Sequence, residues 1–310
     1  MTARELVVLG TSSQVPTRYR NHNGYLLLWD GQGFLFDPGE GTQRQMLFAG
    51  VAASRIHRIC VTHFHGDHCL GLPGIIQRIH LDQVKHEVKV HYPASQKVYF
   101  DRLRRASIFK EQARVVGDPV DRPGLVDTCG DLSILTQPLD HTVEAWGWRI
   151  QEPDGWSLDP AKLQSAGIRG PQVGVLVREG SLAVGSGVVR LEDVAERRLG
   201  QSMAFILDTR WCDGALALAA GVDLLVCEAT FLSTDAELAE EYGHLTADQA
   251  GRLAKEAGAR RLVLSHFSQR YPGAEAHVEE AGRHHADVIA AQDLTRIPVP
   301  ERPARVAARV

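Results

Sequence analysis

The stretch VTHFHGDHCLG (61–71) gathers three histidines and an aspartate, His63, His65, Asp67 and His68, into six positions at the end of an apolar run. Neutral imidazole and carboxylate are ordinary nitrogen and oxygen ligands of zinc. His63 and His65 are two apart, so an extended backbone turns both to one side. Asp67 and His68 follow a glycine, where the chain can bend, so that one pair can face one ion and the next pair another. Four groups do not complete two tetrahedral sites. Three more candidates each end an apolar run: His141 after SILTQPLD, Asp208 after MAFIL and His266 after RLVLS. Functional side chains of α/β folds collect at such strand ends. Together these make seven ligands for two ions. The count suggests His63, His65 and His141 for one ion and His68 and His266 for the other, with Asp67 able to join the second set and Asp208 able to bridge.

Two zinc ions a few ångströms apart lower the pKa of bound water towards about 7 and neutralise charge on a phosphoryl oxygen. Such a site suits hydrolysis of a phosphodiester or an acyl bond, with Asp67 both binding metal and orienting the attacking group. Cys69, next to His68, reads as a small buried thiol. His57, His86, His284 and His285 have no motif around them and read as surface or packing residues.

The elements that must position these residues are legible as short patterns. ELVVLG and the pair GYLLLW and GFLF around DGQG read as strands, the latter two as a hairpin. TQRQMLFAG reads as a helix stopping at Gly50. RIHRICVTH reads as a strand leading into the histidines, and GLPGIIQRIHLD as the helix after them. KHEVKVHYP, DLSILTQPLDH and VEAWGWRIQEP read as strands, and SQKVYFDRLRRASIF as a helix. From about residue 152 to 200 the periodicity weakens. Beyond it strands (QSMAFILDT, DLLVCEATF, RLVLSHF) alternate with the helix TADQAGRLAKEAGA, whose Thr246 and Gln249 form a capping box before a stop at Gly258. Strands with helices in two successive halves imply a sheet-rich α/β sandwich, read as a single domain over residues 1–310.

The bulk composition is that of a globular chain: 310 residues, 44% hydrophobic and 23% charged. No apolar run approaches the roughly 18–20 residues that cross a bilayer. The five cysteines are scattered and form no C-x-x-C, which suits a reducing cytoplasm. The N-terminus opens at once on a strand pattern, so no signal peptide is expected. The net charge of −4 leaves any RNA binding to local basic patches. The candidates are TRYRNH (17–22), DRLRRASIFK (101–110) and RIPVPERPARVAAR (296–309).

The block THFHGDH resembles the H-x-H-x-D-H signature of the metallo-β-lactamase fold, with His141, Asp208 and His266 in the order that superfamily uses. The resemblance implies an αββα sandwich with a dinuclear site at one edge of its sheets. Four further stretches are similar to one member, the ribonuclease Z family of tRNA 3′-processing endonucleases. They are FDPGEGTQRQM (36–46), PTRYRN (16–21), CEATF (227–231) with GHLT (243–246), and SHFSQRY (265–271). The similarity runs from Leu6 to about Tyr271. Three positions depart from the family pattern: Arg18 replaces a lysine, Cys227 a frequent histidine and Leu245 a serine.

The resemblance implies a zinc-dependent endoribonuclease that cuts precursor tRNA after the discriminator nucleotide, leaving a 3′-OH on the tRNA and a 5′-phosphate on the trailer. It makes His244 the acid for the leaving oxygen, oriented by Glu228, and places Arg18 and Arg20 in an RNA-contacting loop. GEGTQ is a glycine turn before a helix, where backbone N–H groups can also hold phosphate. The segment 152–199 falls where the family carries an inserted, protruding tRNA-binding arm with a Gly-Pro element, here Gly170-Pro171. Lys162, Arg169 and Arg178 are its candidate phosphate contacts. The family is typically a homodimer, one subunit's arm serving the other's site. The alternatives are a small-molecule phosphodiesterase or other hydrolase on the same fold, and a non-catalytic nucleic-acid binder with structural zinc. The second is disfavoured because structural sites are commonly closed and cysteine-rich.

Overall fold

A computed structural model describes residues 4–302. Its elements follow from strict period-2 alternation in the strands. In Glu5–Gly10, Leu6 and Val8 point to one face and Val7 and Leu9 to the other; in Gly24–Trp29, Tyr25, Leu27 and Trp29 alternate with Leu26 and Leu28. Both sets are buried, so both faces of the sheet must be covered.

Two seven-stranded sheets result. The first runs in the order Arg296–Pro298, Glu5–Gly10, Gly24–Trp29, Gln32–Phe36, Arg58–Cys60, Val88–Pro93, Val115–Val120. The second runs Val288–Ala290, Arg261–Ser265, Leu224–Glu228, Ser202–Ile206, Ala145–Gln151, Leu132–Leu139, Gly124–Cys129. Three apolar layers hold them. The central one joins the sheets through Phe36, Phe205, Tyr25, Trp148 and Leu224, with Phe36 stacked on Phe205 at 4.7 Å. A second layer carries Thr42–Phe48, Leu72–Leu81 and Lys97–Arg104 on the first sheet, and a third carries Asp213–Ala219, Ala247–Ala257 and Glu275–Gly282 on the second. This is the αββα sandwich of the metallo-β-lactamase fold. The capping box forms as expected, Thr246 Oγ1 accepting from Gln249 N, with Gly258 closing the helix in the left-handed region.

Three readings needed correction. The strand expected over RIHRICVTH is only Arg58–Cys60, because the chain must leave the sheet early to aim His63 and His65. The polar stretch after residue 114 holds two strands, Val115–Val120 and Gly124–Cys129, whose half-buried edge positions carry no clean alternation. The basic tail is in part a strand: Arg296–Pro298 pairs with Glu5–Val7, and only its residues up to 302 lie within the described structure.

By contacts the chain resolves into two compact units. Residues 152–201 form the second. It has two small antiparallel ribbons, Gly155–Leu158 with Ala195–Arg198 and Ser181–Val184 with Gly187–Arg190. Its helices include Pro160–Ser165 and Pro171–Glu179, over a core of Leu163, Ile168, Leu176, Leu191, Val194 and Ala195. The weak periodicity therefore belongs to a folded unit with short elements. Among the described residues no helix is long and apolar enough to cross a membrane.

Candidate active site and metal centre

Six strand ends of the sandwich deliver the site. Asp37, Asp208 and His266, just past Gln32–Phe36, Ser202–Ile206 and Arg261–Ser265, all have positive φ, at 42°, 55° and 59°. For residues with a Cβ this is strained backbone, persisting where the surroundings over-determine it. Here it turns three polar side chains inward at the ends of apolar strands. The turn carrying Asp67 and His68 lies so close to the FDPGEG segment that a Cβ on Gly39 would meet Asp67 O at 2.1 Å, and one on Gly71 would meet Gly39 O at 2.0 Å. Gly39 N bonds Asn23 O, beside the start of Gly24–Trp29, and Thr42 N bonds Gly39 O within the turn. The GEG segment is thus a close-packed buttress for the histidine turn.

All seven expected ligands converge. His63, His65, His141 and Asp208 form one group and Asp67, His68 and His266 another, each with its ligand atoms within 4.8 Å of one another. Asp208 stands between the two: its Oδ2 is 3.6 Å from His63 Nε2 and from His141 Nε2 and 3.3 Å from His68 Nε2, and its Oδ1 is 3.0 Å from His266 Nε2. His244 with Asp208 and His266 makes a third possible group.

The outer hydrogen bonds decide what faces the centre. Thr230 Oγ1 donates to Glu228 Oε2 (2.6 Å), so it accepts from His266 Nδ1 (2.7 Å). His266 Nε2 is then a lone pair pointed at Asp208 Oδ1 and, at 3.4 Å, Asp67 Oδ2. Thr62 Oγ1 donates to Asp37 Oδ2 (2.8 Å) and accepts from His63 Nδ1 (3.0 Å). His68 Nδ1 donates to Asp37 Oδ2 (2.8 Å) and His141 Nδ1 to Gly243 O (2.9 Å). In these four histidines Nδ1 protons thus point outward and Nε2 atoms inward, each ring fixed from behind as metal-binding histidines are, whereas His65 turns Nδ1 inward, 2.9 Å from His63 Nε2 and 3.3 Å from His141 Nε2. Burial, more than any neighbour, keeps His63, His65 and His141 below the ordinary imidazole range and so neutral. Burial opposes charge on His68 too, yet Asp208, Asp67 and Asp37 push it well up, so the carboxylates at the centre demand positive charge. Asp208 Oδ1 is buried with no hydrogen-bond donor. Acceptors facing acceptors, with no lysine or arginine paired to these carboxylates among the described residues, are a donor set that fits metal ions.

His244 lies beside this cluster, its ring 5.3 Å from those of His141 and His266. Its Nδ1 donates to Glu228, 3.1 Å from each carboxylate oxygen. Glu228 also accepts from Thr209 N (2.6 Å) and Leu245 N (3.1 Å), so it is buried but fully bonded. Burial works against the charge on both partners. Glu228 nevertheless pushes His244 up to about 9, and His244 holds Glu228 below the usual carboxylate range. A protonated imidazole therefore lines a cavity of about 660 Å³ together with His65, Asp67, His141, Asp208 and His266.

The comparisons with known proteins agree with this geometry. Residues 17–191 match the Metallo-beta-lactamase superfamily and residues 164–267 a Beta-lactamase superfamily domain. Ribonuclease Z of Streptomyces avermitilis is 57% identical over 304 residues, covering 97% of this chain and 100% of the relative. Ribonuclease Z of Nocardia farcinica is 58% identical over the same shares. The chain belongs to the ribonuclease Z family. The solved structure of the human short-form tRNase Z has the same fold, with a TM-score of 0.69 at 24% identity, over 96% of this chain and 100% of that one.

The departures from the ribonuclease Z pattern have physical reasons. Cys227 and Leu245 point away from the cavity into the buried apolar layer under the helices. It is the backbone N–H of Leu245, not its side chain, that binds Glu228. Arg18 is exposed at the tip of a turn in which Thr17 Oγ1 accepts from Tyr19 N and Arg20 N. Arg20 is instead half-buried over the Phe267 ring at 4.5 Å and donates to Thr11 Oγ1 at 2.9 Å, so part of its role is to brace the loop. In the inserted unit Lys162, Arg169, Gly170 and Pro171 are exposed, Gly170-Pro171 opening the helix Pro171–Glu179. Its acidic neighbours are engaged: Asp159 caps Ala161 N and Lys162 N, and Glu152 and Asp154 face Arg198 (3.2 Å) and Arg197 (3.4 Å). Cys69 is buried, donates to His65 O, and is pushed up to about 12 by burial, the state of an inert thiol. Three supporting residues escaped the sequence reading. Asp37, Thr62 and Thr230 sit inside quoted motifs, but each has a bonding partner distant in sequence.

Proposed function

We propose that this chain is an endoribonuclease that removes the 3′ trailer of precursor tRNA by hydrolysing the phosphodiester after the discriminator nucleotide. The observation that carries the reading is the placement of the His244–Glu228 pair at the rim of the seven-ligand cluster, in a chain of the ribonuclease Z family. The cluster would hold two zinc ions, one by His63, His65 and His141, the other by Asp67, His68 and His266, with Asp208 between them. When bound, they supply Lewis-acid stabilisation of the phosphoryl oxygens and a nucleophile at neutral pH.

The chain's own groups do the rest. Asp67, which burial would raise but His68 and His266 hold ionised, orients the attacking water and takes its proton. Thr230, Asp37 and Gly243 O fix ring orientation behind His266, His68 and His141. The departing ribose 3′-oxygen is a poor leaving group without a proton, and protonated His244 donates one. Glu228 keeps that proton in place beforehand.

The inserted unit, residues 152–201, would grip the tRNA body through Lys162, Arg169 and the Gly170-Pro171 tip. Arg18 would contact RNA near the cleavage site. In this reading the enzyme is a cytoplasmic homodimer, one subunit's inserted unit serving the other's site; sedimentation of the active species at the mass of one chain would refute the pairing. The test of function is turnover of a precursor tRNA beside bis(p-nitrophenyl) phosphate. A single cut after the discriminator supports the reading. Cleavage of the small diester alone makes this a small-molecule phosphodiesterase, and cleavage of neither makes it a binder. Replacing 152–201 by a short glycine turn should retain diester hydrolysis and weaken tRNA binding. Removing Lys162 and Arg169 should flatten the salt slope of binding by about one to two units.

A further inference from the structure

The chain passes from the second sheet to the first through residues 291–295, between the strands Val288–Ala290 and Arg296–Pro298. This crossover is bonded to both sheets. Ala291 N donates to Leu264 O, two residues before His266, and Leu294 N donates to Val8 O. Between these ties the half-buried Asp293 carboxylate gathers three segments. Its Oδ2 accepts from Asn21 N at 2.7 Å and from Gln45 Nε2 at 3.4 Å, and its Oδ1 accepts from Thr11 Oγ1 at 2.8 Å. Thr11 Oγ1 in turn accepts from Arg20 Nη1 at 2.9 Å, and the same Nη1 reaches Ala291 O at 3.5 Å. Burial works against the Arg20 charge, and Asp293 is the foremost of the nearby charges that support it. The crossover thus holds loop 17–21 at two consecutive residues, Arg20 by its side chain and Asn21 by its backbone.

The base of the loop has neutral ties as well: Asn21 O accepts from Thr11 N and Ser12 N, and Asn21 Nδ2 donates to Glu40 O at 2.8 Å. Asp293 adds the one charged acceptor, so the Asn21 peptide is pinned from both faces and Arg20 is turned towards the crossover. Arg18, two residues earlier, stays exposed. A side chain carried on a loop already fixed binds with less loss of freedom than one on a loop that must be ordered first. The metal cluster is held by other bonds. Among the described residues Asp293 bonds none of the seven candidate ligands, and Gln45 keeps a shorter bond to Leu9 O at 2.7 Å. We propose that Asp293 is a positioning residue for RNA, acting through Arg20 and Asn21 to hold loop 17–21 in the form that meets the substrate. This rests on the proposed contact of Arg18 with RNA.

The test measures cleavage of a precursor tRNA and of bis(p-nitrophenyl) phosphate by Asp293→Ala, Arg18→Ala and the double variant. Asp293→Ala should raise KM for the precursor about tenfold, the loss expected of a charged hydrogen-bond acceptor. Its kcat on the precursor, its metal content and its hydrolysis of the diester should stay parental. Arg18→Ala should raise KM for the precursor by a similar factor. In the Arg18→Ala background, adding Asp293→Ala should cost less than about threefold more, because the contact that the loop positions is already gone. Thr11→Val removes only the hydroxyl between Arg20 and Asp293 and should raise KM about threefold; it carries the same test should Asp293→Ala not fold. Parental KM on the precursor, equal losses on precursor and diester, or losses that multiply in full with Arg18→Ala would each overturn the inference and leave Asp293 a structural residue. Parental KM in Arg18→Ala would instead refute the contact of the loop with RNA. Failure of the parent to cut the precursor at the discriminator would refute the ribonuclease reading itself.

Discussion

Two histidine–aspartate clusters in the sandwich body look alike by composition and differ in kind. At the strand ends, four of the imidazoles direct Nε2 at shared carboxylates, and Asp208 Oδ1 finds no donor. Elsewhere in the sandwich, His91 lies between Asp118 (3.2 Å) and Asp127 (3.5 Å). There the protein provides its own cations: Arg58 Nε and Lys89 Nζ donate to Asp127 at 2.7 and 2.8 Å. Arg58, Lys89 and His91 belong to the first sheet and Asp127 to the second, so this cluster is a cross-sheet tie. Where a carboxylate serves structure, the chain neutralises it. Where the chain leaves acceptors against acceptors, the donor set fits a cation from outside.

The largest effect should come from the centre of the first cluster. Asp208→Ala should bring activity on every substrate to background and lower metal content from two ions per chain to at most one, measured by elemental analysis. Fully active protein carrying a single ion would break the comparison at its root. Next is His244→Ala, expected to slow precursor cleavage about 10²–10⁴-fold. Bis(p-nitrophenyl) phosphate should suffer much less, because nitrophenolate departs without a proton; equal losses would move His244 into the metal set, where Asp208 and His266 also place it within reach.

A smaller effect is expected of Thr230→Val, which removes the hydroxyl that fixes the His266 tautomer while keeping its shape. Metal affinity should fall about 10–100-fold, as for other outer partners of metal-binding histidines, read by competition with a chelator. The smallest catalytic effect belongs to the second cluster. Asp127→Asn should leave metal content unchanged and cost about 1–3 kcal/mol of stability. Burial alone would raise the Asp127 carboxyl, but the close approach of His91 and hydrogen bonds from Lys89 and Arg58 hold it below the usual range. A carboxyl depressed in the fold contributes its stability above its unfolded value of about 3.9, and loses it as pH falls towards its folded value. The parent should therefore lose stability below about pH 4 more steeply than Asp127→Asn. Parallel acid unfolding curves would remove the tie.

The difference between the clusters also shows what is readable in one dimension. The first announces itself because four of its members fall within six residues and the others each end a strongly apolar strand. The second is scattered over Arg58, Lys89, His91, Asp118 and Asp127 in four strands, two of them edge strands without clean alternation, and nothing in the sequence joins them. The inserted unit was hidden for a related reason. Five of its six buried core residues are spread over helices and a strand of four to nine residues and the sixth, Ile168, lies between two helices, so no period is established.

The sequence by itself determined the layered α/β sandwich and the seven candidate ligand positions that converge around Asp208. Alternation and strand-end placement are local properties, and the ribonuclease Z motifs are contiguous. Only the tertiary structure decided which imidazole nitrogen faces the centre, through Thr230, Thr62, Asp37 and the Gly243 carbonyl. It also separated Arg20 as a half-buried brace from Arg270, exposed at the cavity and set over the Phe231 ring, and set Glu228 at hydrogen-bonding distance from His244. Proton positions and pKa values are set by burial and by partners tens to hundreds of residues away, and those distances exist only once the two sheets have closed on each other.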